Sequence, residues 1–226
     1  MIPYGTFTFF LIAFIVLIPV IILGFLGKRS YIYNGISTAI MIVIIFASDK
    51  HNLLGQKYLS AQLFCFIIYV IWQVALIMYY YQSRQRKNTF TKFVTIMVLS
   101  ILPLAIVKIL QSSWLGGHQI HFHESKLIEF VGFLGISYVT FKSVQLIMEI
   151  RDGSIKEIKV GKLIQFISFF PTISSGPIDR YKRFVKDDKK VPSGAEYREL
   201  VIKAIHMIML GLSLIHISER AGKADR

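Results

Sequence analysis

The chain alternates long apolar runs with short polar connections. Three of the runs contain no charged residue at all: 1–27, 30–48 and 58–83. Three further runs carry few charges: 93–112, about 127–148, and one that extends from near Glu199 to at least Gly211. A helix that spans a membrane needs about 20 mostly apolar residues. The pattern therefore predicts an all-α, polytopic transmembrane protein with about six spans.

The basic residues between the runs predict an orientation. The chain has 26 Lys and Arg against 13 Asp and Glu, which gives a formal net charge of +13. Strongly basic connections follow the first, third and fifth runs, at 28–29, 82–92 and 149–162. By the positive-inside rule these connections are cytoplasmic and the N-terminus lies outside. Because the basic residues flank apolar runs, we expect them to contact anionic membrane lipid, and we predict no nucleic-acid partner.

Composition excludes several other classes of protein. Hydrophobic residues make up 54% and charged residues 17% of the chain, against about 45–50% and about 25% in soluble domains. A disordered chain, a disulfide scaffold and an ordinary cytosolic enzyme are all excluded. The single cysteine, Cys65, lies inside an apolar run, so it forms no disulfide framework. A short external segment holds His118, His121, His123 and Glu124, but we predict no metal site there.

The stretch 163–184 breaks the pattern. Its uncharged part, 163–178, is too short for a span, and Pro171 and Pro177 each remove a backbone donor. Irregular backbone at membrane depth is tolerated only where it packs in protein or lines a wet cavity. A re-entrant or interfacial segment at 163–180 is therefore one hypothesis. A kinked helix that leaves the membrane at its basic end is the other.

Two groups of polar residues could line a site. The bend at Ser174, Ser175 and Gly176 could present hydroxyl and N–H groups to a polar ligand. On the fifth run, five residues spaced three or four apart share one helix face: Gly135, Tyr138, Lys142, Gln145 and Glu149. A charge in a span usually faces the bundle interior or a water-filled cavity. Lys142 could equally extend to the cytoplasmic end of its helix.

Two motifs resemble those of the membrane-bound O-acyltransferase family. The first is GFLGISYVTFK at 132–142, and the second is FFPTISSGPIDR at 169–180. Their order and spacing are specific, and the resemblance covers residues 1–211. Within the family, the chain is most similar to the branch that transfers D-alanine to teichoic acid. The resemblance implies a ring of helices around a tunnel, of which residues 1–211 would be the N-terminal part.

The resemblance also implies an activity and its partners. The donor would be D-alanine on the phosphopantetheine arm of an acidic cytosolic carrier protein, and no cofactor would be bound by this chain. The acceptor would be (lipo)teichoic acid, reached with an extracellular transfer partner, at the bacterial cytoplasmic membrane. Motif and possible tunnel-lining residues would be Gly135, Tyr138, Lys142, Gln145, Pro171, Ser174, Ser175, Gly176, Pro177, Asp179 and Arg180. The family's catalytic histidine lies beyond the position of Gly211, so no catalytic residue is assigned, His206 included.

Two alternatives stay open at this stage. A transporter or flippase for a cell-wall precursor would also use broken helices and a charge within a span. The last residues, 212–226, begin with LSLIHI, which resembles a translated transposon end. We expect this stretch to be a non-native tail, and the alternative is a genuine helix end with a basic extension. We also expect residues 1–226 alone to insert into membranes without transferring an acyl group.

Overall fold

The computed structural model describes residues 7–28, 31–47, 57–86, 89–111, 135–155, 157–173, 179–189 and 192–224. All regular structure in these ranges is helical, which confirms the predicted all-α class for this part of the chain. The α-helices are α1 Phe7–Phe25, α2 Tyr31–Ala47, α3 Lys57–Arg86, α4 Phe90–Gln111, α5 Ile136–Arg151, α6 Val160–Ser168, α7 Tyr181–Lys189 and α8 Gly194–Ala224. A short 3₁₀ turn, Phe170–Thr172, follows α6.

Within the described ranges, two helices are long and apolar enough to cross a membrane. They contain the segments Gln62–Gln85 in α3 and Phe90–Ile109 in α4. Two shorter apolar segments, Leu11–Phe25 and Ile32–Phe46, lie in α1 and α2. The apolar runs of the sequence thus coincide with helices, while the number of membrane crossings stays a prediction.

The chain forms two compact units. One unit comprises Leu17–Asn34 and Lys190–Arg226. In it the backbone of Gly24 lies directly against the ring of Tyr197, which leaves no room for a side chain at position 24. The rings of Phe25 and Tyr197 meet edge to face with centroids 5.1 Å apart. Because α8 continues through position 212 to Ala224, its backbone does not mark the start of the predicted tail, which stays a prediction.

The other unit comprises Met1–Val16 and Gly35–Lys189, and its packing centres on α5. Helices α3, α4 and α5 contact one another, α6 contacts α3 and α5, and α7 contacts α6. The residues between them are apolar and buried, for example Ile77, Val139, Leu146, Ile147 and Leu163. Large apolar side chains also cover the outside, among them Phe64, Ile71, Val98, Ile106 and Phe141. An exterior as apolar as the interior is typical of helices that pack in lipid.

A buried chain of hydrogen bonds joins α3, α4 and α5. The Thr140 hydroxyl donates to the carbonyl of Ile136 at 2.7 Å, so the Tyr69 hydroxyl donates to Thr140 Oγ1 at 2.6 Å. Gln73 Nε2 then donates both to Tyr69 Oη, at 2.8 Å, and to the carbonyl of Ser100, at 3.0 Å. The Ser100 hydroxyl donates back to Gln73 Oε1 at 2.8 Å.

Every hydrogen-bonding group of the side chain at the centre of this network has a partner. Both amide hydrogens and the amide oxygen of Gln73 are used, and its side chain is fully buried at 0% exposure. In an apolar environment an unmade hydrogen bond costs more than in water, since no solvent replaces it. The network therefore fixes the rotation of the three helices relative to one another.

Replacing Gln73 should loosen the three-helix core. We expect Gln73→Leu to lower the free energy of unfolding by about 1–3 kcal/mol, because the Ser100 hydroxyl loses its acceptor and Tyr69 loses a donor. Thermal unfolding of the protein in detergent measures the change. The matched control is Ser143→Ala, since the buried Ser143 hydroxyl donates to the carbonyl of Val139 in its own helix. Equal effects of the two substitutions would contradict a cross-helix role for Gln73.

Candidate functional site

The first motif contains a glycine that contacts the second motif. Gly135 precedes α5 with φ 94° and ψ −4°, a left-handed conformation that side-chain-bearing residues rarely adopt. A Cβ atom at this position would lie 2.5 Å from the carbonyl oxygen of Ile173. Glycine is thus required both by the backbone conformation and by the close approach. The start of α5 and the end of the 3₁₀ turn are in direct contact as a result.

The second motif begins where α6 is interrupted. The chain leaves the helix at Phe169, whose φ and ψ are −57° and 110°. In a continuing helix, the N–H groups of residues 170 and 171 would donate to the carbonyls of Phe166 and Ile167. Pro171 has no N–H group, and the backbone has already turned at Phe169. The break therefore leaves carbonyl groups at the end of α6 that need other donors.

Lys142 supplies these donors from α5. Its ammonium group donates to the carbonyl of Phe166 at 3.2 Å and to that of Ile167 at 3.5 Å. It also donates to Thr172 Oγ1 at 2.7 Å, within the 3₁₀ turn. A cation at the carboxyl end of a helix is favoured by the helix dipole as well. One side chain thus stabilises both the end of α6 and the turn that follows.

The surroundings of Lys142 are protein rather than solvent. The side chain is 1% exposed, and its nitrogen lies 5.6 Å from the centroid of the Phe166 ring. The Thr172 hydroxyl, which accepts from Lys142, donates in turn to the carbonyl of Phe169 at 3.2 Å. Of the two hypotheses for Lys142, extension to the helix end is therefore wrong: the ammonium is directed at the broken segment. Whether it lines a tunnel stays a prediction.

The same face of α5 carries further polar groups. Tyr138 and Gln145 are half-buried, and Gln145 Nε2 donates to Glu149 Oε1 at 3.5 Å. The second carboxylate oxygen of Glu149 is buried without a hydrogen-bond partner among the described residues, and so is Gln165 Oε1. The predicted polar face of α5 is therefore present, and one acceptor on it, Glu149 Oε2, has no described donor, like Gln165 Oε1 on α6.

The charged end of the second motif acts on this face. Asp179 interacts electrostatically with Lys142 and with Glu149, and Arg180 interacts with Glu149. Asp179 Oδ1 also accepts the backbone N–H of Arg180 at 2.8 Å and pairs with Arg183 at 3.3 Å. The carboxylate of Asp179, just before α7, thus acts electrostatically on the α5 face.

Helix α7 is held against α6 by aromatic contacts and a half-buried ion pair. The Phe166 ring meets the rings of Tyr181 and Phe184 edge to face, each with centroids 5.5 Å apart. Lys162 on α6 pairs with Asp188 on α7. The exposed residues of α7 are mostly charged, including Lys182, Arg183 and Asp187. Helix α7 thus packs one apolar face on α6, while the choice between a re-entrant segment at 163–180 and a kinked helix stays a prediction.

The structure thus brings together several of the predicted site residues, namely Gly135, Lys142, Pro171, Asp179 and Arg180. Four others lie outside the described residues: Ser174, Ser175, Gly176 and Pro177. The histidines at 118–123 also lie outside them, while His206 is exposed on α8. Sequence reasoning missed Thr172 and the carbonyls of α6. A signal for them exists, since a proline four residues after Ile167 leaves the carbonyl of Ile167 without its helical donor.

Comparison with known proteins gives three relatives that share one name, teichoic acid D-alanyltransferase. The chain is 45% identical over 212 residues to that of Bacillus subtilis (strain 168), which covers 93% of this chain and 50% of the relative. It is 42% identical to that of Lacticaseibacillus rhamnosus, over 92% of this chain and 47% of the relative. It is 32% identical to that of Streptococcus thermophilus, over 92% of this chain and 46% of the relative. The chain spans about half the length of these relatives, and no protein-family model matches it.

Gly135 offers a direct test of the contact between the motifs. We expect Gly135→Ala to lower the free energy of unfolding by roughly 1–3 kcal/mol, because alanine is strained at positive φ and its Cβ would collide with the carbonyl of Ile173. Thermal unfolding in detergent measures the change. The control is Gly35→Ala in α2, where a Cβ meets nothing within 4 Å; there we expect no loss, or a small gain. A neutral Gly135→Ala would contradict the close approach.

Proposed function

We propose that the chain belongs to a membrane-bound O-acyltransferase that transfers D-alanine from a phosphopantetheine carrier protein to (lipo)teichoic acid. The observation that carries the proposal is the direct contact of its two motifs, through Lys142 with Thr172 and through Gly135 with Ile173. The three relatives, all named as D-alanyltransferases of teichoic acid, support it. They also disfavour the transporter or flippase alternative.

The proposed reaction requires the membrane part of the enzyme to position the reactants more than to activate them. A thioester donor is already activated, so a base on the acceptor hydroxyl suffices for transfer. We assign no such base in this chain. Its role in the proposal is to hold the broken segment in a fixed shape beside the polar face of α5. Lys142, Tyr138 and Gln145 would line the acyl path from that face.

The unfilled acceptors suit the proposed donor. A D-alanyl group carries an ammonium beside its reacting carbonyl, and a buried carboxylate oxygen is a natural partner for it. Glu149 Oε2 is such an oxygen. A simple fatty acyl group would give it no donor.

The proposed partners follow from charge. The connections at 82–92 and 149–162 are rich in lysine and arginine, and Lys159 and Arg183 are each 73% exposed. An acidic carrier protein would be attracted to such a surface and oriented on it. Phosphopantetheine would arrive with the carrier, so the chain needs no cofactor of its own. The acceptor and its transfer partner would act on the opposite side of the membrane.

The proposed topology is multi-pass with the N-terminus outside. It rests on the alternation of basic and less basic connections and on the apolar exterior of α3, α4 and α8. Cysteine labelling from outside intact cells tests it, after Cys65→Ala removes the native thiol. We expect a membrane-impermeant reagent to label Ser125→Cys and to spare Ser83→Cys. Preferential labelling at position 83 would show that the orientation is the opposite of the proposed one.

A complementation experiment tests the activity and Lys142 together. In a bacterial strain that lacks its own D-alanyl transfer protein, we expect the full-length gene to restore ester-linked D-alanine in the cell wall. Lys142→Leu should reduce that D-alanine at least tenfold with normal membrane insertion, since the end of α6 loses its donors. Lys108→Leu, which removes an exposed lysine of α4 from the same unit, should be close to wild type.

The outcomes separate the two claims. If the full-length gene restores no D-alanine, the proposed function is wrong. If it restores D-alanine and Lys142→Leu does so equally well, the function stands but Lys142 has no role in it.

A further inference from the structure

A second polar cluster lies away from the two motifs, where α3 ends, α4 begins and α5 ends. Its residues are Tyr80, Arg84, Phe90, Phe93 and Arg151, which we call the arginine–aromatic cluster. The guanidinium carbon of Arg151 lies 4.3 Å from the centroid of the Phe93 ring and 5.3 Å from that of Phe90. The rings of Tyr80 and Phe93 are 6.2 Å apart. Stacking of this kind holds a guanidinium in place while its N–H donors stay available at its edge.

The cluster holds donors without acceptors. The Tyr80 hydroxyl and Arg84 Nε are both buried and have no hydrogen-bond partner among the described residues. Arg84, Arg151 and Asp152 are the described charged groups that act electrostatically on the Tyr80 hydroxyl, and two of these three are cations. Within the described ranges, neither arginine forms an ion pair. A buried donor that stays unpaired is destabilising, so an acceptor from outside the described chain is expected here.

The neighbouring backbone leaves space for the cluster but, in the described part of the chain, accepts no hydrogen bond from its side chains. Gly153, at φ 75°, lies so near Arg84 that an added Cβ would be 3.0 Å from Arg84 Nη2. The carbonyls at the end of α5 already accept backbone donors: Met148 from Asp152, Glu149 from Ser154, and Ile150 from Gly153. These carbonyls are therefore occupied. No described carbonyl accepts from the buried Arg84 Nε, and the exposed guanidinium of Arg151 beside it can contact a ligand from outside the chain.

We propose that the arginine–aromatic cluster binds the phosphate of an anionic phospholipid headgroup. The apolar segment of α3 ends at Gln85 and that of α4 begins at Phe90, so the cluster lies where apolar surface gives way to polar connection. Headgroup phosphates of a bilayer lie at that level, and basic pockets between helices at such boundaries bind acidic lipids. A phosphodiester offers several acceptor oxygens, and the guanidinium fork matches its geometry. The lipid's apolar tails would cover the exposed face of Phe90.

Lipid binding to the purified full-length protein tests this proposal. In detergent micelles, the protein is titrated separately with dioleoyl phosphatidylglycerol, with dioleoyl phosphatidylcholine and with inorganic phosphate, and binding is followed by native mass spectrometry and by melting temperature. We expect phosphatidylglycerol to bind at least tenfold more tightly than the other two. Arg84→Gln and Arg151→Gln should each weaken it at least fivefold. The control Lys159→Gln removes one exposed charge from the connection after α5 and should change binding less than twofold.

Tyr80→Phe keeps the test decisive if an arginine variant does not fold. Without lipid, the variant should melt at the same temperature as the wild type or higher, because a buried hydroxyl without a partner is removed. With phosphatidylglycerol, its gain in melting temperature should be smaller than that of the wild type. Equal binding of phosphatidylcholine, equally tight binding of inorganic phosphate, or an unchanged gain in Tyr80→Phe would each overturn the proposal.

Discussion

The ammonium group of Lys142 is the contact on which the arrangement of the two motifs depends. A broken helix in an apolar setting leaves carbonyl groups that neither water nor lipid can satisfy. Lys142 donates to two of them and to the Thr172 hydroxyl. The exchange is mutual, because a buried ammonium is itself unfavourable unless oxygens surround it. Either group alone would be costly to bury, and together they give a fixed junction between α5 and the broken segment.

Helix α5 uses different faces for different tasks. Thr140 faces α3 and takes part in the neutral network around Gln73, while Lys142, two residues later, faces α6. The C-terminal turn of the helix reaches the aromatic rings of α4 through Arg151. The contacts of Thr140, Lys142 and Arg151 lie within about four helical turns, and together they restrict rotation and sliding of α5. Its apolar side chains, such as Val139 and Leu146, fill the space between these attachments.

The sequence predicts more of the fold than of the site. Apolar runs reveal the helices because lipid and protein interior select the same residues, and three-or-four spacing reveals the polar face that contains Lys142. Pro171 indicates that the carbonyl of Ile167 lacks its helical donor, but the sequence does not indicate that Lys142 is the donor that replaces it. The contact of Gly135 could not be predicted either. A glycine in the sequence indicates that a side chain is missing, but it does not indicate which atoms occupy the space. The apolar pattern of the sequence did not predict helix α7. This helix has only nine residues, most of them charged, so its helical periodicity is hard to recognise.

The cap on α6 has a consequence for biosynthesis. Lys142 precedes its backbone acceptors by 24 and 25 residues and Thr172 by 30, so it leaves the ribosome before any of them does. A lone lysine at the centre of a lipid bilayer costs about 2.5–3.5 kcal/mol on insertion scales. Under the proposed topology, helix α5 is thus a poor membrane segment by itself and becomes a good one when α6 arrives. We expect the translocon to release the two helices into lipid as a pair, with the lysine already paired when it leaves the aqueous channel.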